Sequence, residues 1–272
     1  MSVETLIVIP SRYGSTRFPG KPLAEIAGRT MLQRVAEQAR AAAAIIPHAA
    51  FVVATDDERI ADHCAAISAP VVMTDPAAPS GSDRALEGAR KFAPTCNFII
   101  NFQGDAPFTP VNYLTKLSDV LRSGGGDVAT PCIRLDWAAL DAFRDAKQQS
   151  PTSGTTCVMT PEGRALWFSK TIIPVLRDEA ALRWQSDVSP VYRHVGLYGF
   201  TRTALERFTT TPPSYYEKLE GLEQLRMLEN GMRIHCVLVE APSISTTGID
   251  TPQDLERLNA LIVKHGDPGI VE

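Results

Sequence analysis

Short, uninterrupted apolar runs alternate with longer stretches of helical periodicity through the first half of the chain. That order arises when parallel strands are joined by crossover helices. Thr5–Pro10 (TLIVIP), Phe51–Thr55, Pro70–Met73, Phe98–Phe102 and Val128–Ile133 are apolar without alternation, the form of strands covered by helices on both faces. Between them, Thr30 is placed to cap a helix over Met31–Ala44, whose Leu32, Val35, Ala36 and Ala39 share one face. Asp57–Ala66, Ser82–Phe92 and Val111–Arg122 read as helices in the same way. The fold class is α/β, a mostly parallel sheet with helices on both faces.

Past Gly124-Gly125-Gly126 the pattern loosens through Trp137–Gly154 and resumes as strands around Cys157–Met159, Ala165–Ser169 and Tyr192–Phe200. This region, about 155–215, reads as a smaller β-containing lobe inserted into a single domain spanning 1–272. Residues 213–230 return to helix, with Leu219, Leu222, Leu225 and Leu228 three apart and Gly231 as the C-terminal cap. A strand Ile234–Glu240 and a helix Pro252–His265 follow.

Composition narrows the function class. Over 272 residues, 27 basic and 31 acidic side chains give a net charge of −4, which argues against a surface that coats nucleic acid or anionic membrane. Any anionic ligand must be met by a local cluster of cations. The five cysteines are scattered at 64, 96, 132, 157 and 236 without a close pair, so neither a disulfide framework nor a zinc knuckle is expected. Leu6–Ile9 is too short for a signal-peptide core, and the expected location is the cytoplasm.

The loop after the first strand, Ser11-Arg12-Tyr13-Gly14-Ser15-Thr16-Arg17-Phe18-Pro19-Gly20-Lys21-Pro22, concentrates cations, glycines and hydroxyls. In an open α/β sheet, ligands bind beyond the carboxyl ends of the strands, where such a loop turns N–H groups and cations toward phosphate. It is not a Walker loop, because Lys21 precedes Pro22 rather than Ser or Thr and the glycine spacing differs. Asp105, closing Asn101-Phe102-Gln103-Gly104-Asp105, and Asp250, ahead of Pro252, are candidate ligands of a hard divalent cation. The plainer readings are a turn residue for Asp105 and a helix cap for Asp250. In Ser80-Gly81-Ser82-Asp83-Arg84, Ser82 is placed as an N-cap or within a base-recognition loop. His194 stands on a strand whose polar residues alternate toward a cavity, while Glu223, Gln224 and Arg226 sit among the leucines of 213–230.

Eight ordered segments together carry a family resemblance: IPSRYGSTRFPGKPL (9–23), VVATDDERI (52–60), PSGSDR (79–84), NFQGDAPF (101–108), LWFSKTIIP (166–174), YRHVGLYGF (192–200), LEGLEQLRMLENG (219–231) and TGIDTPQDLER (247–257). The chain resembles the sugar-acid cytidylyltransferases, on the branch that activates 3-deoxy-manno-octulosonate (Kdo). The resemblance implies a Rossmann-like nucleotidyltransferase fold and a magnesium-dependent transfer of the cytidylyl group of CTP to a 2-keto sugar acid, giving CMP-Kdo for lipopolysaccharide synthesis. It implies a homodimer formed through the inserted lobe, with no nucleic-acid or membrane partner. It makes Arg12, Lys21, Asp105 and Asp250 catalytic, with Asp105 and Asp250 holding Mg2+. Ser11, Arg12, Gly14, Arg17, Lys21, Ser80, Gly81 and Gln103 would bind the nucleotide, and His194, Tyr198, Glu223 and Gln224 the sugar acid. Three positions depart from the family pattern: Ala106 where a glutamate is usual, Thr156 for a lysine and Lys170 for an arginine. They leave open a modified acceptor such as 8-amino-Kdo, another ulosonic acid, or a non-catalytic nucleotide-binding paralogue.

Overall fold

The structure is a computed structural model that describes residues 2–14, 18–242, 249 and 251–270. Its strands are β1 (Thr5–Ser11), β2 (Glu25–Ile26), β3 (Arg29–Thr30), β4 (Ala49–Thr55), β5 (Val71–Met73), β6 (Phe98–Asn101), β7 (Val128–Asp136), β8 (Thr156–Met159), β9 (Ala165–Ser169), β10 (Val188–His194), β11 (Tyr198–Thr201) and β12 (Ile234–Val239). The helices are α1 (Met31–Ile45), α2 (Glu58–Ala66), α3 (Gly81–Phe92), α4 (Val111–Arg122), α5 (Trp137–Gln149), α6 (Glu179–Gln185), α7 (Arg202–Thr210), α8 (Tyr215–Glu220), α9 (Glu223–Glu229) and α10 (Pro252–His265).

Ten of the strands form one sheet in the order β5-β4-β1-β6-β11-β7-β10-β8-β9, with β12 alongside β7. The block β5-β4-β1-β6 is parallel, as its apolar runs require. In TLIVIP, Leu6 and Val8 enter one core with Val52, Ala85 and Leu86, while Ile7 and Ile9 enter the opposite core with Leu32, Val35 and Leu114. Both faces are therefore buried and no polar alternation is possible. Gly88 of α3 lets that helix lie on the sheet, since a Cβ there would stand 2.9 Å from the Ala54 Cβ.

Val128–Ile133 forms the first six residues of β7, but it is not part of the parallel block. The short strand β11 separates it from β6 and runs antiparallel to both. Of β7's other neighbours, β12 is parallel and β10 antiparallel. Tyr192–Phe200 is not one strand: β10 ends at His194, and β11 starts at Tyr198 and joins the middle of the sheet. Strands β8, β9 and β10, from the segment read as an inserted lobe, continue the same sheet at one end.

The loosened stretch after Trp137 contains a full helix, α5. The Asp136 carboxylate accepts the Ala139 N–H at 2.7 Å, while Trp137 and Leu140 are buried. Helices α6 and α7 likewise form where the sequence pattern does not mark them; Thr201 caps α7 by accepting from Ala204 N–H. Residues 213–230 are two short helices, because Gly221 (φ 65°) is left-handed and breaks the run. Leu222 and Leu225 consequently turn inward while Leu219 stays exposed. Thr30 caps α1 as the sequence predicts, its Oγ1 accepting from Gln33 N–H at 3.0 Å.

Candidate functional site

Because β5, β4, β1 and β6 are parallel, their carboxyl ends deliver the loops following Ser11, Thr55, Met73 and Asn101 to one edge of the sheet. Arg84 fastens two of these loops to the start of α3, donating to the Asp56 carboxylate at 2.9 Å and to the Thr74 hydroxyl. The loop after β1 is closed by Gly20 N–H donating to Tyr13 C=O at 3.0 Å, and the Tyr13 ring lies under the Arg59 guanidinium. Gly20 is left-handed (φ 73°), and a Cβ there would press on the Tyr13 ring at 3.1 Å. Lys21 then opens a 3-10 turn, Lys21–Leu23, that aims its side chain inward.

The result is a polar cavity of about 250 Å³ lined by Ser11, Arg12, Lys21, Ser80, Gly81, Gln103 and Asp105, with Arg84 and Gly104. Within it Lys21 Nζ donates to Asp105 Oδ2 at 2.8 Å and to the Ile249 carbonyl at 2.6 Å. An ammonium thus sits between oxygen donors supplied by two distant parts of the chain. The Ser11 hydroxyl in the wall is buried without a hydrogen-bond partner among the described residues. Gly14 does not line the cavity. Arg17 and Asp250 lie outside the described residues.

Two capping assignments change. Ser80, not Ser82, caps α3: its hydroxyl accepts from Asp83 N–H at 3.2 Å and donates to the Asp83 carboxylate. Any nucleotide contact from Ser80-Gly81 therefore falls to the backbone at the start of a twelve-residue helix, where unpaired N–H groups favour an anion. At the other helix, Thr251 caps α10 in a box with Asp254, and the cap reading of Asp250 falls on a residue outside the described ones.

A second cavity, about 740 Å³ and more open, is lined by Tyr198, Glu223 and Gln224 with Glu217, Lys218 and, again, Gly81, Gln103 and Asp105. Tyr198 donates its phenol proton to Gln224 Oε1 at 3.0 Å, which leaves the buried Gln224 Nε2 without a partner among the described residues. Burial, with further charge from Glu217 and Asp83, holds the Glu223 carboxyl above its usual range. His194 is not in this cavity. It lines a third, of about 300 Å³, with Tyr113, Arg193, Ala106 and, once more, Gln103 and Asp105. Its ring still adjoins the second cavity through Tyr198, the ring centroids being 5.5 Å apart. Gln103 and Asp105 are common to all three cavities.

Burial, and then the charge of Lys170, bring His194 down to about 3, so the ring is neutral at pH 7 and its Nε2 pairs with the Thr130 hydroxyl at 2.8 Å. In the unfolded chain the ring takes up a proton near its ordinary 6.5, whereas the folded ring refuses it until about 3. Stability is therefore complete above pH 6.5 and is lost as pH falls through that window, by at most roughly 1.4 kcal/mol per pH unit. His194→Gln is expected to flatten this loss. Urea midpoints between pH 7 and pH 4.5 check it, and parallel declines in the two proteins would reject the buried neutral ring.

Of the departures from the family pattern, Thr156 is structural: its hydroxyl donates to Thr171 C=O at 2.7 Å and accepts from Ile173 N–H at 3.1 Å. Ala106 faces the third cavity. Arg84, Arg193 and Tyr113 join the site without having stood out as individual residues in the sequence. Two of them lie within the quoted segments, yet an arginine or tyrosine in such a context has no sequence signature until the loops are folded together.

The cytidylyltransferase family model matches residues 6–234. The 3-deoxy-manno-octulosonate cytidylyltransferase of Maricaulis maris is 41% identical over 268 residues, covering 97% of this chain and 99% of the relative. That of Vibrio cholerae is 36% identical, covering 95% and 97%. Among solved structures, a CMP:2-keto-3-deoxy-manno-octonic acid synthetase complexed with CTP superposes with a TM-score of 0.80 at 33% identity, covering 96% of this chain and 99% of the other.

Proposed function

Because the chain belongs to the cytidylyltransferase family, we propose that it transfers the cytidylyl group of CTP to the anomeric hydroxyl of Kdo, releasing CMP-Kdo and pyrophosphate. The observation that carries this reading is that Gln103 and Asp105 belong at once to the cation-lined cavity and to the cavity of Tyr198, Glu223 and Gln224. A triphosphate held by the first and an acceptor held by the second meet at Asp105.

The residues divide the work by chemistry. Arg12 and Lys21, with Arg17 assisting, neutralise the triphosphate, and the start of α3 at Ser80-Gly81 offers backbone N–H groups to the same ligand. The free Ser11 hydroxyl is available to a phosphate oxygen, and Gln103 to the nucleotide. On the acceptor side, the unpartnered Gln224 Nε2 is a ready donor for a hydroxyl or carboxylate, and Tyr198 fixes that amide's orientation. The acceptor oxygen attacks the α-phosphorus in line and pyrophosphate leaves, with no covalent enzyme intermediate. Negative charge grows on phosphate oxygens as the new bond forms, and the preplaced cations oppose it where it appears.

The donor set fits magnesium. Asp105 Oδ2 and the Ile249 carbonyl already surround a positive charge, that of Lys21, and both are hard oxygen donors. Asp105 and Asp250 would hold the ion, which when bound supplies further neutralisation of the triphosphate.

The pairing is tested by pyrophosphate release in a matrix of the four nucleoside triphosphates against a panel of ulosonic acids, including 8-amino-Kdo. Release that requires CTP and Kdo together supports the assignment. Release with CTP and only a modified acceptor moves the substrate, and none with any pair reduces the chain to a nucleotide binder.

We further infer a homodimer in the cytoplasm. No helix among the described residues is long and apolar enough to cross a membrane, and all five cysteines are free and buried. Within the segment expected to form the dimer contact, Trp184 is 92% exposed and Val175 90%, with Leu166 and Val188 also open to solvent. Large apolar side chains left open to solvent in one segment are what a contact with a second copy would cover. Trp184→Glu is expected to convert a dimer into a monomer in light scattering after size exclusion; an unchanged mass would move the interface elsewhere.

A further inference from the structure

The sulfurs of Cys132 on β7, Cys157 on β8 and Cys236 on β12 lie within 4.8 Å of one another, and those of Cys132 and Cys157 are 3.3 Å apart. All three residues are buried among Phe168, Tyr198 and Phe200, and among the described residues no carboxylate or imidazole joins them. The strand registers bring them together: Cys236 pairs with Thr130, two residues before Cys132, and Cys157 pairs with Tyr192, two residues before His194, which itself pairs with Cys132. None of these thiols lines the cavities or enters the transfer reaction.

We propose that this trio is a binding site for trivalent arsenic, captured as a neutral tris-thiolate. Three observations select a trivalent centre over monovalent and divalent thiophilic ions, and arsenic is the trivalent centre taken as the probe. First, among the described residues there are three sulfur ligands and no fourth, whereas zinc takes four. Second, three thiolates around a monovalent or divalent ion would leave net negative charge in an aromatic core, which is costly, while a trivalent centre leaves none. Third, metal–sulfur bonds of about 2.3 Å in a trigonal pyramid separate the sulfurs by roughly 3.5 Å, within the range found here. The chemistry needs no redox partner. Arsenous acid, As(OH)3, reacts with three thiols to give As(S-Cys)3 and three waters: three As–O and three S–H bonds break, while three As–S and three O–H bonds form. Entry requires local opening of β8, which lies between β10 and β9, or of β12, which lies alongside β7.

Sodium arsenite added to the reduced protein is expected to give, by native mass spectrometry, one adduct per chain equal to one arsenic less three hydrogens. The adduct should be lost in Cys132→Ala, Cys157→Ala and Cys236→Ala and kept in Cys64→Ala and Cys96→Ala. Because a buried alanine variant can fail to fold, arsenic X-ray absorption on the unsubstituted protein gives an independent reading, with a first shell of three sulfurs expected. No adduct, an adduct that survives loss of any of the three thiols in folded protein, or a shell of two sulfurs and one oxygen would each overturn the assignment. Zinc binding there at the same stoichiometry would overturn it as well.

Discussion

Lys21→Ala is expected to lower turnover with CTP and Kdo by about 10³-fold while leaving the protein folded. The Lys21 ammonium is in contact with Asp105, and it is placed there by a left-handed Gly20 and a 3-10 turn rather than by a long flexible reach. Removing it takes a full positive charge from the position where the account puts the triphosphate. The same substitution leaves the Asp105 carboxylate and the carbonyl of buried Ile249 without their present donor; Asp105 is about a third exposed, so water replaces that contact cheaply. A partly exposed pair of this kind contributes at most about 1 kcal/mol to stability. Steady-state kinetics beside thermal unfolding separates the two effects. Turnover within a few-fold of the unsubstituted enzyme would remove Lys21 from the mechanism, and a collapse of the melting transition would make it a structural residue.

Asp105→Asn is expected to cost roughly 10²- to 10³-fold in turnover and to raise the magnesium concentration needed for half-maximal rate. The substitution keeps the size and one acceptor oxygen but removes the charge that faces Lys21 and borders all three cavities. If Asp105 served only as a turn residue beside Gly104, asparagine would replace it with little loss, since both residue types suit turns. The magnesium titration distinguishes the roles: a shifted metal dependence supports a ligand, and an unshifted one with normal turnover supports the turn.

The parallel half of the fold was legible because its strands are buried on both faces and their apolar runs cannot be confused with amphipathic helices of the same length. The rest was obscured by context. Helix α5 begins at Asp136-Trp137, where a strand continues directly into a helix with no intervening loop to signal the change. The break at Gly221 was hidden by leucines at regular spacing, although only Leu222 and Leu225 of that series are fully buried. Strand β11 enters the sheet between β6 and β7, a topology that no local pattern specifies. Among site residues, the loop cations and Asp105 were readable from composition after a strand. His194 was readable from the alternation of polar residues along its strand, but its sugar-acid role came only through resemblance, and its separate cavity and depressed pKa follow from burial that the sequence does not display. Ser80 and Ser82 differ by two positions in a polar turn, and only the Asp83 contacts show which one caps.

The central claim is that the acceptor's own anomeric oxygen reaches the α-phosphorus of CTP across Asp105. Kdo carrying 18O at the anomeric hydroxyl, turned over with unlabelled CTP, follows that oxygen by mass spectrometry. The account predicts that the label remains in CMP-Kdo, in the bridge between sugar and phosphorus, with unlabelled pyrophosphate. Label appearing in pyrophosphate, or CMP formed with oxygen from water instead of from the sugar, would contradict it.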